Sequence, residues 1–120
     1  MYARLVPGLI VQLPFARVIM SETARFIVIA EFQLKEGQQA AFLGHAHEDA
    51  SASLANEPGC HQFDVLTTPD DDCLVVLHEA YTDRSAFDTH TQMPHYAPFK
   101  DATGPMLAAP PTVRFFERDK

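Results

Sequence analysis

A chain of 120 residues builds one domain around a single two-layer core and has little left for a second. Apolar residues make up 47% and charged residues 21%, the balance of a compact fold, which argues against disorder. Sixteen acidic against nine basic residues leave a formal charge of −7, with no Lys/Arg run to offset it, so the surface repels phosphate backbones and nucleic acid is not an expected partner.

Residues 1–22 read as an N-terminal extension and residues 23–118 as the folded domain. The segment MYARLVPGLIVQLPFARVIM carries Arg4 and Arg17 and no acid, and Pro7 and Pro14 interrupt its apolar runs short of membrane-spanning length. It lacks the clean apolar core and small-residue cleavage site of a secretory signal, and Met20 stands where a shorter domain can begin. Cys60 and Cys73, with twelve residues between them, form neither a CxxC pair nor a disulfide framework. They read as buried thiols of a reducing compartment, so a cytoplasmic protein without membrane contact is expected.

From Ala24 the chain becomes regular. RFIVIAEFQL (Arg25–Leu34) predicts a strand, with Phe26, Val28, Ala30 and Phe32 on one face and Ile27, Ile29 and Glu31 on the other. Both faces are largely apolar, so both need cover. After the Lys35-Glu36-Gly37 turn, Phe42, Ala46, Ala50 and Ser53 fall at i, i+4, i+8 and i+11, the stripe of an amphipathic helix from Gln38 to Asn56. His45 and Asp49 lie on one shoulder of the stripe and His47 opposite, the histidines reading as solvated surface. Glu57-Pro58-Gly59 ends the helix.

CHQFDVLTT (Cys60–Thr68) and CLVVLHEAY (Cys73–Tyr81) predict an antiparallel hairpin around the turn Pro69-Asp70-Asp71-Asp72. That turn lacks the glycine and distal glutamate of a calcium loop and reads as solvated. In the first strand Cys60, Gln62 and Asp64 alternate with His61, Phe63 and Val65; in the second Val75, Leu77, Glu79 and Tyr81 share a face. Asp83 is placed to cap a short helix from Arg84 to about Gln92, Pro94 and Pro98 break it, and another helix follows from near Pro98 to Leu107. Pro110-Pro111 stops that helix, and TVRFFER (Thr112–Arg118) is the last strand.

Strand, helix, strand, strand, helix, strand is the α+β, ferredoxin-like split βαβ plan: a four-stranded antiparallel sheet with helices on one face. The other face is apolar as well, and burying it against a second subunit gives a homodimer.

The stretch Leu74–Phe99 concentrates ionisable groups beside apolar surface. Within it and before it stand Glu57-Pro58-Gly59-Cys60, Phe63-Asp64-Val65, Glu79-Ala80-Tyr81 with Asp83, and Ala86-Phe87 followed by His90 and Pro94-His95. In order and spacing these resemble the antibiotic biosynthesis monooxygenase (ABM) domain, including its quinol monooxygenase-like members, over about Arg25 to Glu117. The resemblance implies the dimeric α+β barrel. It also implies an enzyme that oxidises a small electron-rich phenol, quinol or polyketide-like aromatic with molecular oxygen, using no metal or flavin. Other members isomerise small keto compounds or degrade haem. Tyr81 stands where several of the oxygenases and the haem degraders carry an indole, and this chain has no tryptophan, which ranks haem breakdown lower.

Deprotonating a hydroxyl makes an aromatic a far better electron donor to oxygen, so such a protein needs a base, an oxyanion partner and a dry pocket. His90 and His95 are the candidates for the base, and the Tyr81 hydroxyl for orienting the oxyanion. Tyr96, Phe87, Glu79, Phe63 and Phe42 are the candidate substrate-binding residues of a mostly apolar pocket between sheet and helices. The structural alternatives are an ion pair from Glu79 to Arg84 or Arg114, His90 packing a helix end, and Tyr81 as an aromatic wall.

His45 with Asp49, or His90 with His95, offers two metal ligands each, but no third stands at a defined spacing. His45 and His47 point about 200° apart on a helix. No metal and no cofactor is therefore expected. Two other functions fit the same plan: an isomerase of a small hydroxyketone using the same histidines, or a non-catalytic ligand-binding or dimerisation module.

Overall fold

The computed structural model describes residues 24–119, and the reading of residues 1–22 as an extension lies outside them. Strand β1 (Phe26–Gln33) leads through a turn at Gly37, whose φ of +81° suits a residue without a Cβ, into helix α1 (Gln39–Asn56). Strands β2 (Cys60–Thr68) and β3 (Asp71–Tyr81) form the hairpin. Helices α2 (Arg84–His90) and α3 (Tyr96–Thr103), a 3-10 turn (Gly104–Met106) and strand β4 (Thr112–Glu117) complete the chain. The sheet is antiparallel throughout in the order β2-β3-β1-β4, with the helices on one face. Among the described residues no helix is long and apolar enough to cross a membrane.

The register divides the sheet as alternation predicts. Phe26, Val28, Ala30 and Phe32 pair with Tyr81, Glu79, Leu77 and Val75, and all eight are buried beneath the helices. The α1 stripe Phe42, Ala46, Ala50 and Ser53 is buried against them. Phe42 packs tilted against Phe32 and edge-on to Phe99 with ring centroids 5.0 and 5.9 Å away, so the phenylalanine joins β1, α1 and α3 in one aromatic core.

Two local differences from simple alternation have physical causes. The hairpin turn is tighter than the acidic run suggests: Asp71 and Asp72 belong to β3, and the Asp71 carboxylate accepts from the Cys73 backbone N–H at 2.9 Å. In β2 a bulge at His61 pairs Cys60 with Tyr81 and Gln62 with Ala80, moving Cys60 off the face of Gln62 and Asp64 and into the core, where it is 6% exposed.

The link from α1 to β2 sets up the site. The Glu57 backbone N–H donates to Ser53 O at 3.0 Å and its carbonyl accepts from Cys60 N–H at 3.0 Å. Gly59 passes so close under α2 that a Cβ there would lie 2.6 Å from the Ala86 Cβ.

Candidate active site

Asp49, Ser53 and Glu57 follow one another at four-residue spacing along one ridge of α1 and its C-terminal cap. All three are buried. The Asp83 carboxylate accepts from Ala86 N–H at 2.9 Å and starts α2, which ends on buried His90. Tight turns through Pro94 then bring His95, the residue before α3, back to within 5.8 Å of His90, ring to ring.

The Glu57 carboxylate is the meeting point. Its Oε2 accepts from His90 Nδ1 at 2.9 Å and from His95 Nε2 at 2.5 Å. With Nδ1 donating to Glu57, a neutral His90 ring carries its lone pair on Nε2, which has no hydrogen-bond partner among the described residues. Ser53 Oγ lies 3.3 Å from His95 Nε2 and 3.5 Å from both His90 Nδ1 and Asp49 Oδ1. Burial pushes the Asp49 carboxyl up to about 6, with the two imidazoles opposing the rise.

His90 forms part of the wall of a cavity of about 500 Å³ between the sheet and the helices. Most of the lining is apolar, including Val28, Leu77, Phe87, Phe99 and Phe115, and the polar groups are His90, Asp49, Glu79, Tyr96, Lys100 and a few hydroxyls. Glu79 accepts from the Tyr81 hydroxyl at 2.6 Å. Burial raises the Glu79 carboxyl to about 7 against the lowering effect of that hydrogen bond. Burial first, and then the Glu79 charge, raise the Tyr81 phenol. The cavity thus offers an imidazole and, in Glu79, a carboxyl whose proton is held up to about pH 7.

A family profile of antibiotic biosynthesis monooxygenases matches residues 25–102. The chain belongs to the antibiotic biosynthesis monooxygenase family. A candidate antibiotic biosynthesis monooxygenase from Nitrosomonas europaea is 26% identical, over 80% of this chain and 91% of that one, with a TM-score of 0.76. Rv0793 from Mycobacterium tuberculosis is also 26% identical, over 80% and 96%, with a TM-score of 0.73. A candidate monooxygenase of the same description from Caulobacter crescentus, 21% identical over 81% and 92%, superimposes with a TM-score of 0.76 and shares the fold. No protein of curated function matches the chain.

Within this ABM chain the residues singled out from sequence separate into two groups. His90, Tyr96, Phe87 and Glu79 line the cavity. His95, Tyr81, Phe63 and Phe42 do not. His95 stands behind Glu57 and borders an open groove between α1 and α3 shared with His45 and His47. Tyr81 is fully buried with its hydroxyl spent on Glu79. Phe63 packs at 6.0 Å from the His90 ring, and Phe42 belongs to the aromatic core.

Among the described residues Glu79 makes no ion pair with arginine: Arg114 reaches Glu31 on β1, and Arg84 reaches Asp88 at 3.5 Å while lying over the Phe115 ring. Burial and the nearby Glu57 and Glu79 charges push the Cys60 thiol up to about 12, in keeping with a packing role. His45 pairs with Glu48 rather than Asp49. Sequence offers Asp49 only as a partner of His45 and does not single out Ser53 or Glu57 as site residues, although the three form a four-residue repeat beside an apolar stripe.

Proposed function

We propose that this protein is a cofactor-independent monooxygenase that oxidises a small phenol or quinol with molecular oxygen. The observation that carries this reading is His90, buried between Glu57 and the cavity, with Nδ1 donating to the carboxylate and Nε2 left to take a proton. In the proposed reaction Nε2 removes the proton of a substrate hydroxyl, and Glu57 stabilises the imidazolium that results. Tyr96 and the protonated form of Glu79 hydrogen-bond the aryloxide.

The electron-rich ring passes one electron to oxygen, and the resulting radical pair combines into a carbon–oxygen bond. The O–O bond of that hydroperoxide then breaks. One oxygen stays as a quinone carbonyl and the other leaves as water, carrying the proton from His90 and the hydrogen lost from the ring carbon. Hydroquinone and oxygen thus become hydroxyquinone and water, with the four electrons oxygen needs supplied by the substrate.

We also assign the working unit as a homodimer closed over the outer sheet face. The test is oxygen consumption by metal-stripped protein with a panel of hydroquinones and polyphenols. Uptake above the autoxidation blank that disappears in His90→Ala is the expected result. A rate no higher than the blank with every substrate would overturn it, and turnover of a hydroxyketone without oxygen uptake would replace it with an isomerase, for which His90 and Glu79 supply the two proton carriers.

A further inference from the structure

We propose that Asp49, His90 and His95 form a binding site for one borderline divalent cation of the Zn²⁺ or Co²⁺ type, with Glu57 beside the two imidazoles. Ligand atoms of Asp49, His90 and His95 lie within 4.8 Å of one another, and Glu57 Oε2 is 2.9 and 2.5 Å from the two imidazole nitrogens. Ligands about 2.0–2.2 Å from one tetrahedral ion stand roughly 3.3–3.6 Å apart, so the three ligand atoms must draw closer, and the imidazoles turn from Glu57, to close around a cation.

Asp49, Glu57 and His90 are 4, 5 and 2% exposed. Their carboxylates have already given up water, and a cation there neutralises buried negative charge that the imidazoles alone must otherwise meet. Small Ser53 stands among the ligands and leaves room that a larger side chain would fill. Two imidazoles with a carboxylate suit zinc, cobalt or nickel; calcium and magnesium ask for six or more oxygens.

Occupancy reverses the His90 ring. Bound through Nδ1, the imidazole keeps its remaining proton on Nε2, and the nitrogen that would accept a proton becomes a donor. The cation therefore silences the base. That inhibition rests on the proposed reaction; the binding itself does not.

The test uses the untagged full chain stripped with a chelator. Titration with Co²⁺ is expected to give a visible d–d band saturating at a single equivalent, and Zn²⁺ to compete with a chromophoric chelator and raise the melting temperature. His95→Ala and Asp49→Asn should each lose the band and weaken Zn²⁺ by more than about tenfold, while His45→Ala in the open groove binds as wild type. No band and no competition in the wild type, or binding unchanged in both ligand variants, overturns the site. Oxygen uptake with Zn²⁺ present separates the two ideas: binding with inhibition supports both, and binding at full activity keeps the site while overturning His90 as the base.

Discussion

At the scale of single residues, buried Glu57 carries the most consequence. It does not line the cavity, so it acts on substrate only through His90. Glu57→Gln keeps the shape and removes the charge that steadies the imidazolium. Its kcat should fall by about 10²–10⁴-fold with KM little changed, read from steady-state oxygen uptake. Glu79 gives a stability signature instead. Its carboxyl sits near 4.5 in the open chain and is raised to about 7 in the fold, so between those values the folded state holds the extra proton. The stability this contributes is complete below about pH 4.5 and is lost as pH rises through about 7. Glu79→Gln, whose amide oxygen still accepts from Tyr81, should match wild type at low pH and exceed it above neutrality by at most about 3 kcal/mol. Urea denaturation across that range checks this. Sequence exposed His90 and Glu79 because both fall in one chemistry-rich stretch. Glu57 went unseen as a site residue because the same Glu-Pro-Gly also signals a helix end, and only the packing of α2 and α3 buries its carboxylate.

At the scale of elements, the strands and helices were legible because their periods are clean, and the departures from them are tertiary. The bulge at His61 leaves no mark in an alternating run, yet it turns Cys60 inward beside Tyr81. The last helix starts earlier than Pro98 because Pro98 sits in its first turn, where a missing N–H costs nothing. The close pass of Gly59 under α2 fixes where that helix, and therefore His90 at its end, can lie. Gly59→Ala drives a methyl into the Ala86 Cβ and should cost about 1–3 kcal/mol in a thermal or chemical melt. It should also lower activity by displacing His90. Removing the opposing methyl in Gly59→Ala/Ala86→Gly should recover activity more fully than stability, because the second glycine weakens α2 in its own right.

At the scale of the whole molecule, the outer sheet face decides what the functional particle is. Register places Ile27, Ile29, Leu74, Val76 and Phe116 together there, with Phe116 and Leu66 50% and 45% exposed in the single chain. Contiguous exposed apolar side chains on a sheet face are the mark of an interaction surface. Its polar members, His78 near Asp64 at 3.9 Å and Arg114 paired with Glu31, are matched within the chain and bring no unmet charge into an interface. A second copy of the same face answers both conditions, since two-fold pairing sets each aliphatic row against another. Ile29 lies on the central strand β1, opposite His78 and Arg114. Ile29→Asp leaves the fold's own core untouched and, once paired, buries a carboxylate in the middle of the interface, at a cost of several kcal/mol per ion. Light scattering should then find wild type at twice the 13.4 kDa chain mass and the variant at the chain mass, with near-native far-UV circular dichroism. A variant that stays at twice the mass would move the contact to the exposed inner edge of β4, where Val113 and Phe115 border the cavity.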